Sequence, residues 1–477
     1  MPQLNSKMEI DIKDPESFRD TIGTIGDDGK RVWVNPKKPK GKYTNWRTNV
    51  NYILLALLFT GPWIKIDGKP FLLFNILERK FIIFGQVFWP QDFHLAVLAM
   101  ITGIVFVALF TIVYGRIFCG WACPQTIFME GVFRKIEYWI DGDYKQQKQL
   151  AKQEWNAEKI RKRVLKHTIF IIISFLITHT FLAYIIGADA LLEIQTGNPV
   201  EHIAGLISIT LFTGVFYFVF SWFREQVCII ACPYGRLQGV LLDRNSIVVA
   251  YDFVRGENRA KFKKNEDRKA AQKGDCIDCH QCVDVCPTGI DIRNGTQLEC
   301  VNCTACIDVC NTMMKGVGLP ENLIRYDSAD GIAKGKKFEW TARIKGYSFV
   351  LLILLLVIMG LLLSRNEVET TLLRTPGVMY QEQPDGRISN LYNIKIINKT
   401  YKDLPIELKL LSPANGEIQV IGKKNLEVLP ESVNEGSLFI LINKKDLPKM
   451  KNKIEVGVYS NGELIEEVST NFLAPTN

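Results

Sequence analysis

Cysteine is missing from most of the chain: none of the twelve precedes Cys119 and none follows Cys310. A secreted disulfide scaffold spreads its cysteines through the exported part, so that class is excluded, and a confined set points to metal ligation in a reducing compartment. Charge is also sparse, at 23% against 47% hydrophobic residues. That is too apolar for a typical soluble protein and too polar for a pure transporter; a membrane core with sizeable water-exposed parts fits. The N-terminus lacks a short apolar core followed by a small-residue cleavage site, so no cleaved signal peptide is expected. The formal charge of +8 comes from basic residues clustered beside apolar runs, where they set topology, and no nucleic-acid partner is expected.

Long apolar runs are what the chain does have. About 20 residues cross a bilayer core, and five stretches qualify as spans: 49–66, 94–114, 168–186, 203–223 and 347–363. The first is short and interrupted by Gly61 and Pro62; 71–88 is apolar but split by Glu78, Arg79 and Lys80, which predicts an interfacial or re-entrant segment. The loop 187–202 has no Lys or Arg, whereas the loop after the second span carries Arg134, Lys135, Arg161, Lys162, Arg163 and Lys166. The positive-inside rule then puts the N-terminus and the loops after spans two and four in the cytoplasm of a multi-pass inner-membrane protein, with 365–477 in the periplasm. Every cysteine falls on the cytoplasmic side.

The expected fold class is a multi-domain membrane protein: an α-helical bundle of five spans, a ferredoxin-like insert and a C-terminal β-sandwich. Its parts are a cytoplasmic segment 1–48, a four-span domain 49–240, a ferredoxin-type domain 241–343, a fifth span 344–364 and an exported domain 365–477. In that tail the runs 391–397, 406–411, 438–442, 454–459 and 464–472 alternate apolar with polar, and Asn461-Gly462 is a strong hairpin signal. About seven such strands suggest an immunoglobulin-like sandwich in architecture.

Cys276, Cys279, Cys282 and Cys286 form C-x2-C-x2-C-x3-C followed by Pro287; Cys300, Cys303, Cys306 and Cys310 repeat it, with Asn311 in place of the proline. Three thiolates at this spacing wrap one cubane and the fourth reaches its partner. One [4Fe–4S] cluster is therefore expected on Cys276, Cys279, Cys282 and Cys310, the other on Cys300, Cys303, Cys306 and Cys286. A pair of structural zincs would use C-x2-C pairs instead. His280 fits a hydrogen-bonding role better than ligation.

Cys119–Pro124 and Cys228–Pro233 are two copies of C-x3-C-P, each just after an apolar run. Cys119, Cys123, Cys228 and Cys232 are the candidate catalytic residues. If helical, each step places two thiols on one face, and proline after Cys123 and Cys232 puts those thiols at a helix N-terminus, where the dipole favours thiolate. They could hold Cu(I) or a further iron–sulfur centre, act as redox dithiols, or be ordinary buried cysteines. His94, His179 and His202 lie in or beside spans; interfacial hydrogen bonding explains them better than haem.

Taken in order, these elements resemble the cytochrome c oxidase accessory proteins of the CcoG/FixG/RdxA type over nearly the whole chain. Residues 88–93 (Phe-Trp-Pro-Gln-Asp-Phe), 119–125 and 232–236 carry that resemblance. It implies reduction of Cu(II) to Cu(I) for assembly of a cbb3-type oxidase. The partners it implies are that oxidase or its assembly factors, copper or a copper chaperone, and an electron donor. The residues themselves give an electron-transfer path, which a quinol-linked subunit feeding a periplasmic reductase would share. An assembly scaffold whose clusters only stabilise the fold is the non-enzymatic alternative.

Overall fold

The computed structural model describes residues 23–475 apart from 27–28, 67–68, 78–79, 265, 337, 367, 378, 401, 423–425 and 431. Residues 1–22, and Glu78 and Arg79 of the split segment, lie outside the described residues. Five long helices carry the membrane part: α1 (Lys42–Thr60), α2 (Phe93–Tyr114), α3 (Ala157–Ile186), α4 (Ile203–Phe218, continued by a π turn Val219–Phe223) and α5 (Ala342–Leu363). Among the described residues four helices, α2, α3, α4 with its turn, and α5, are long and apolar enough to cross a membrane. Of the five stretches expected to span, 49–66 is the one whose helix falls short of that combination of length and composition. The failing stretch starts at Lys42, seven residues before the predicted 49, and its first half carries Asn45, Arg47, Asn49 and Asn51. Arg47 and Asn51 are buried in protein.

α1 nevertheless joins the two ends of the bundle. At its start the Asp308 carboxylate accepts from the Tyr43 and Thr44 amides at 3.0 and 2.7 Å, capping the helix from another domain. At its finish the Tyr184 hydroxyl, from the last turn of α3, donates to the Leu58 carbonyl at 3.0 Å, and Pro62 stops the helix. Segment 71–88, expected to be interfacial or re-entrant, holds a β-hairpin of β1 (Leu72–Asn75) and β2 (Lys80–Ile83). The core of the bundle is aromatic: the Phe133 ring meets Phe170 edge-on at 4.7 Å and stacks on Phe220 at 4.5 Å.

The cysteine-rich insert is closed by an antiparallel ribbon, β3 (Val248–Tyr251) with β4 (Ile324–Asp327). It sits at the end of the bundle where α2 finishes, since the Ile247 amide donates to the Val113 carbonyl at 2.9 Å.

Among the described residues the C-terminal unit is a sandwich of nine strands, β5 (Val368–Arg374), β6 (Gln381–Glu382), β7 (Arg387–Asn398), β8 (Leu404–Ser412), β9 (Glu417–Val420), β10 (Leu426–Val428), β11 (Val433–Asn443), β12 (Lys451–Ser460) and β13 (Glu463–Leu473). One sheet runs β9–β11–β7–β5 with β6 beside β7, the other β10–β8–β12–β13. Alternate residues point inward, as strand geometry requires: Tyr392, Ile394 and Ile396 on β7, Leu438, Ile440 and Ile442 on β11, and Ile454, Val456 and Val458 on β12 are all buried. The Tyr392 hydroxyl crosses to the Asn471 carbonyl at 2.9 Å. Asn461 and Gly462, at φ 49° and 86°, turn β12 into β13. The five runs read from alternation fall on β7, β8, β11, β12 and β13, whereas β6 and β10, two and three residues long, are too short to show it.

This unit also captures Gln86–Asp92. Asp92, buried, takes Lys399 at 2.8 Å and Arg365 at 2.8 Å, and the Arg365 guanidinium lies 4.6 Å over the Phe88 ring. Burial would raise the Asp92 carboxyl, but hydrogen bonds from Lys399 and Arg365 hold it below the ordinary carboxylate range.

Candidate electron-transfer site

The ferredoxin blocks build two small cavities. Cys276, Cys279, Cys282 and Cys310 line one, with Ile277, Met314 and Leu323; Cys286, Cys300, Cys303 and Cys306 line the other, with Cys282 at the shared wall. In each block the second and fourth residues after the first cysteine are left-handed: Asp278 and His280 at φ 52° and 55°, Asn302 and Thr304 at 52° and 65°. Alternating handedness of this kind turns successive amides toward one point and makes an anion nest. Asp and Asn tolerate the conformation, which is the signal for it in the sequence.

Burial pushes the Cys282, Cys300 and Cys310 thiols up to about 12. Eight thiols round two apolar cavities, none of them exposed, fit iron–sulfur clusters, which are bonded through sulfur and compensate such a set electrostatically. The thiols surround a space instead of converging on a point, and among the described residues no three Cys, His, Asp or Glu are placed to hold a single metal ion. His280 bonds through Nδ1 to the Arg293 guanidinium at 2.9 Å. The Asn311 side-chain oxygen Oδ1 accepts from the Asn322 backbone N–H at 2.7 Å, fastening the helix Ala305–Gly316.

The four remaining cysteines come together from two places. Cys119 lies in the short helix Ile117–Trp121 and Cys123 caps the next helix, with Pro124 at its first position. Cys228 lies in a π turn, Val227–Ala231, and Cys232 caps Pro233–Leu241 in the same way. The expected single helix face is thus corrected: each four-residue step straddles a break before proline. Cys119, Cys123 and Cys232 are all within Coulomb range of Cys228. The thiolate expectation at the helix N-terminus is also corrected for Cys123. Burial raises this thiol by more than the Thr126 and Gln125 amides lower it, and burial together with the neighbouring thiols pushes Cys228 up to about 12.

Three partners were not legible from motif spacing. The Gln238 amide is 3.6 Å from the Cys119 sulfur; Tyr234 bonds Thr111 at 2.8 Å beside it; Arg116 donates to the Leu298 carbonyl. The decisive contact is at Gly120. A Cβ there would overlap the Val301 carbonyl oxygen and meet Asn302, so glycine lets the first C-x3-C loop lie directly on the second ferredoxin block. Cys119 packs in one apolar cluster with Val301 and Cys303. His179 turns its Nδ1 to the Phe175 carbonyl of its own helix at 2.8 Å.

Comparison with known proteins follows the same division. Residues 223–329 match a family model described as a 4Fe-4S dicluster domain, 96–143 one described as a 4Fe-4S binding domain, and 358–475 the IG-like fold at the C-terminus of FixG. Protein RdxB of Cereibacter sphaeroides is 34% identical over 415 residues, covering 82% of this chain and 85% of its own length. Protein RdxA of the same organism is 32% identical over 425 residues, covering 86% and 88%. The nitrogen fixation protein FixG of Rhizobium meliloti is 29% identical over 459 residues, covering 87% of each.

Proposed function

The chain belongs to the family of RdxA, RdxB and FixG, and on that premise we propose that this membrane iron–sulfur electron-transfer protein reduces Cu(II) to Cu(I) for assembly of a cbb3-type cytochrome c oxidase. Cys276, Cys279, Cys282 and Cys310 hold one [4Fe–4S] cluster; Cys300, Cys303, Cys306 and Cys286 hold the other. Bound there, the clusters supply single electrons. Cys119, Cys123, Cys228 and Cys232 receive copper as substrate, because soft thiolates favour Cu(I) and a one-electron step is all the reduction needs. The clusters and these thiols face the cytoplasm and 365–477 the periplasm. The recipient of Cu(I) is a copper chaperone, the oxidase or its assembly factors.

The observation that supports this reading is the seat of Gly120 on Val301, which sets Cys119 against the apolar surround of Cys303. Buried thiols elsewhere in the fold would be inert; these lie beside a cluster pocket and beside one another. The test is anaerobic protein given a reductant, Cu(II) and a Cu(I)-specific chelator. The double variant Cys123→Ser/Cys232→Ser loses copper reduction and keeps the cluster absorbance and about eight irons. Wild-type turnover per cluster in that variant would overturn the assignment. An iron count near twelve in the wild type would make the four cysteines a third cluster site instead.

A further inference from the structure

A cavity of about 640 Å³ opens beside α3 and the π turn of α4. That volume is in the range of small-molecule pockets, and its two ends differ. The closed end is polar and buried: Asp141 and Glu137 face Lys166, at 2.7 and 3.6 Å, and Arg224 grips Glu137 with two hydrogen bonds of 3.0 and 2.6 Å. The open end is aromatic, with Trp33, Phe218 and Trp222 roughly half exposed. Arg31 fixes that mouth, its guanidinium 4.0 Å from the Trp33 ring and 5.5 Å from Trp222, while Glu225 anchors Arg31 at 2.9 Å.

Two details say what the cavity accepts. Asp141 is 5% exposed, and its Oδ1 is buried with no hydrogen-bond partner among the described residues. A buried carboxylate oxygen without a donor is costly, so the ligand has to bring an O–H or N–H. The second detail is His167, whose Nδ1 shares a 2.8 Å hydrogen bond with the Tyr217 hydroxyl, so a second polar pair lines the cavity. Both carboxylates already have cation partners, Asp141 with Lys166 and Arg163 and Glu137 with Lys166 and Arg224. A ligand with hydroxyl donors is therefore favoured over a further cation. Flat aromatic walls at the apolar end favour a planar ring.

We propose that this cavity binds the dihydroxylated ring of a membrane quinol, one hydroxyl donating to Asp141 and the ring lying against the aromatic lining of Phe218 and Trp222. Its back wall is tied to the cysteines. Arg224 sits four residues before Cys228, in a left-handed conformation (φ 54°) of the kind that persists only where its surroundings enforce it. Its carbonyl accepts from the Gln125 side chain, two residues past Cys123, at 3.2 Å. The consequence for turnover rests on the electron-transfer reading above. Oxidation breaks the two O–H bonds of the quinol and leaves the quinone, the two protons pass by Asp141 and His167 to water, and the two electrons would pass singly to the iron–sulfur clusters that the eight ferredoxin cysteines would hold.

The test is a titration of the full-length protein in detergent with decylubiquinol, followed by quenching of tryptophan fluorescence. Saturable quenching is expected. Asp141→Asn, which keeps one oxygen for Lys166, should weaken it roughly tenfold or more. Ser221→Trp, which fills the cavity from its lining and removes no charge, should abolish it with cluster absorbance unchanged. Unsaturable quenching, wild-type affinity in a folded Ser221→Trp protein, or equal displacement by an anionic phospholipid would each overturn the proposal, the last making the cavity a lipid site. Saturable binding without cluster reduction would leave the site standing and count against the electron-transfer reading alone.

Discussion

The two C-x3-C-P copies share a spacing, a preceding apolar helix and a capped helix after the proline, yet they are held by different things. The first lies on the ferredoxin insert: Gly120 meets Val301 and Asn302, and Cys119 is buried. The second lies on the first. Gly235, just past Cys232, faces the Arg116 guanidinium that precedes Cys119, and the Gln125 side chain donates to the Arg224 carbonyl. Ile229 occupies the place of Gly120, and Ile230 is 40% exposed. Repetition in sequence has therefore produced division of labour: one copy faces the source of electrons, and the other completes the thiol group from behind.

That asymmetry can be broken most severely at Gly120. Gly120→Ile places on the first copy the residue that the second tolerates, lifts the loop off Val301, and should lower copper reduction about a hundredfold, the scale of an ångström-sized misplacement. The reverse change, Ile229→Gly, should stay within about twofold. Equal losses in the two variants, read as chelated Cu(I) per cluster per second, would mean that the copies are interchangeable.

The second copy is steadied by Arg224 on Glu137. Burial would raise the Glu137 carboxyl, but Arg224, Lys166 and Arg134 bring it down to about 2. A depressed carboxyl contributes stability that is complete above its ordinary value near 4.5 and is lost as pH falls toward 2. Glu137→Gln takes from the buried Arg224 its close carboxylate partner and should cost about 3–5 kcal/mol near neutral pH. Between pH 4.5 and 2 it should also flatten the fall in melting temperature, followed by circular dichroism. An unchanged acid limb would assign that limb to other carboxylates. The smallest effect is expected at Gln238. Gln238→Leu removes the polar contact to the Cys119 sulfur, should cost no more than about 1 kcal/mol, and should change copper reduction about threefold with the clusters intact. A larger loss would give the first copy a dependence on its polar neighbour that a 3.6 Å contact does not suggest.

Local features were legible and distant pairings were not. Four spans could be read because a bilayer imposes its demand on about 20 consecutive residues. The strands could be read from alternation and from Asn461-Gly462. α1 defeated composition because its first half is held by protein: Asp308 caps it and Arg47 donates to the Cys303 carbonyl at 3.0 Å. The Trp-Pro-Gln-Asp run could be noticed, but its partners Arg365 and Lys399 lie 273 and 307 residues on. The cavity at Asp141 draws on residues from Trp33 to Arg224, and no single stretch announces it. The thiol expectation failed at Cys123 because a sequence shows the helix start but not the burial that opposes it.

Asp92 also sets a timetable for synthesis. It leaves the ribosome 273 residues before Arg365, which at bacterial or slower elongation rates is a wait of roughly 15 to 55 s. For that interval a short segment with a carboxylate destined for the interior of a later domain has neither cation, and that domain can close only around a piece of chain that emerged long before it.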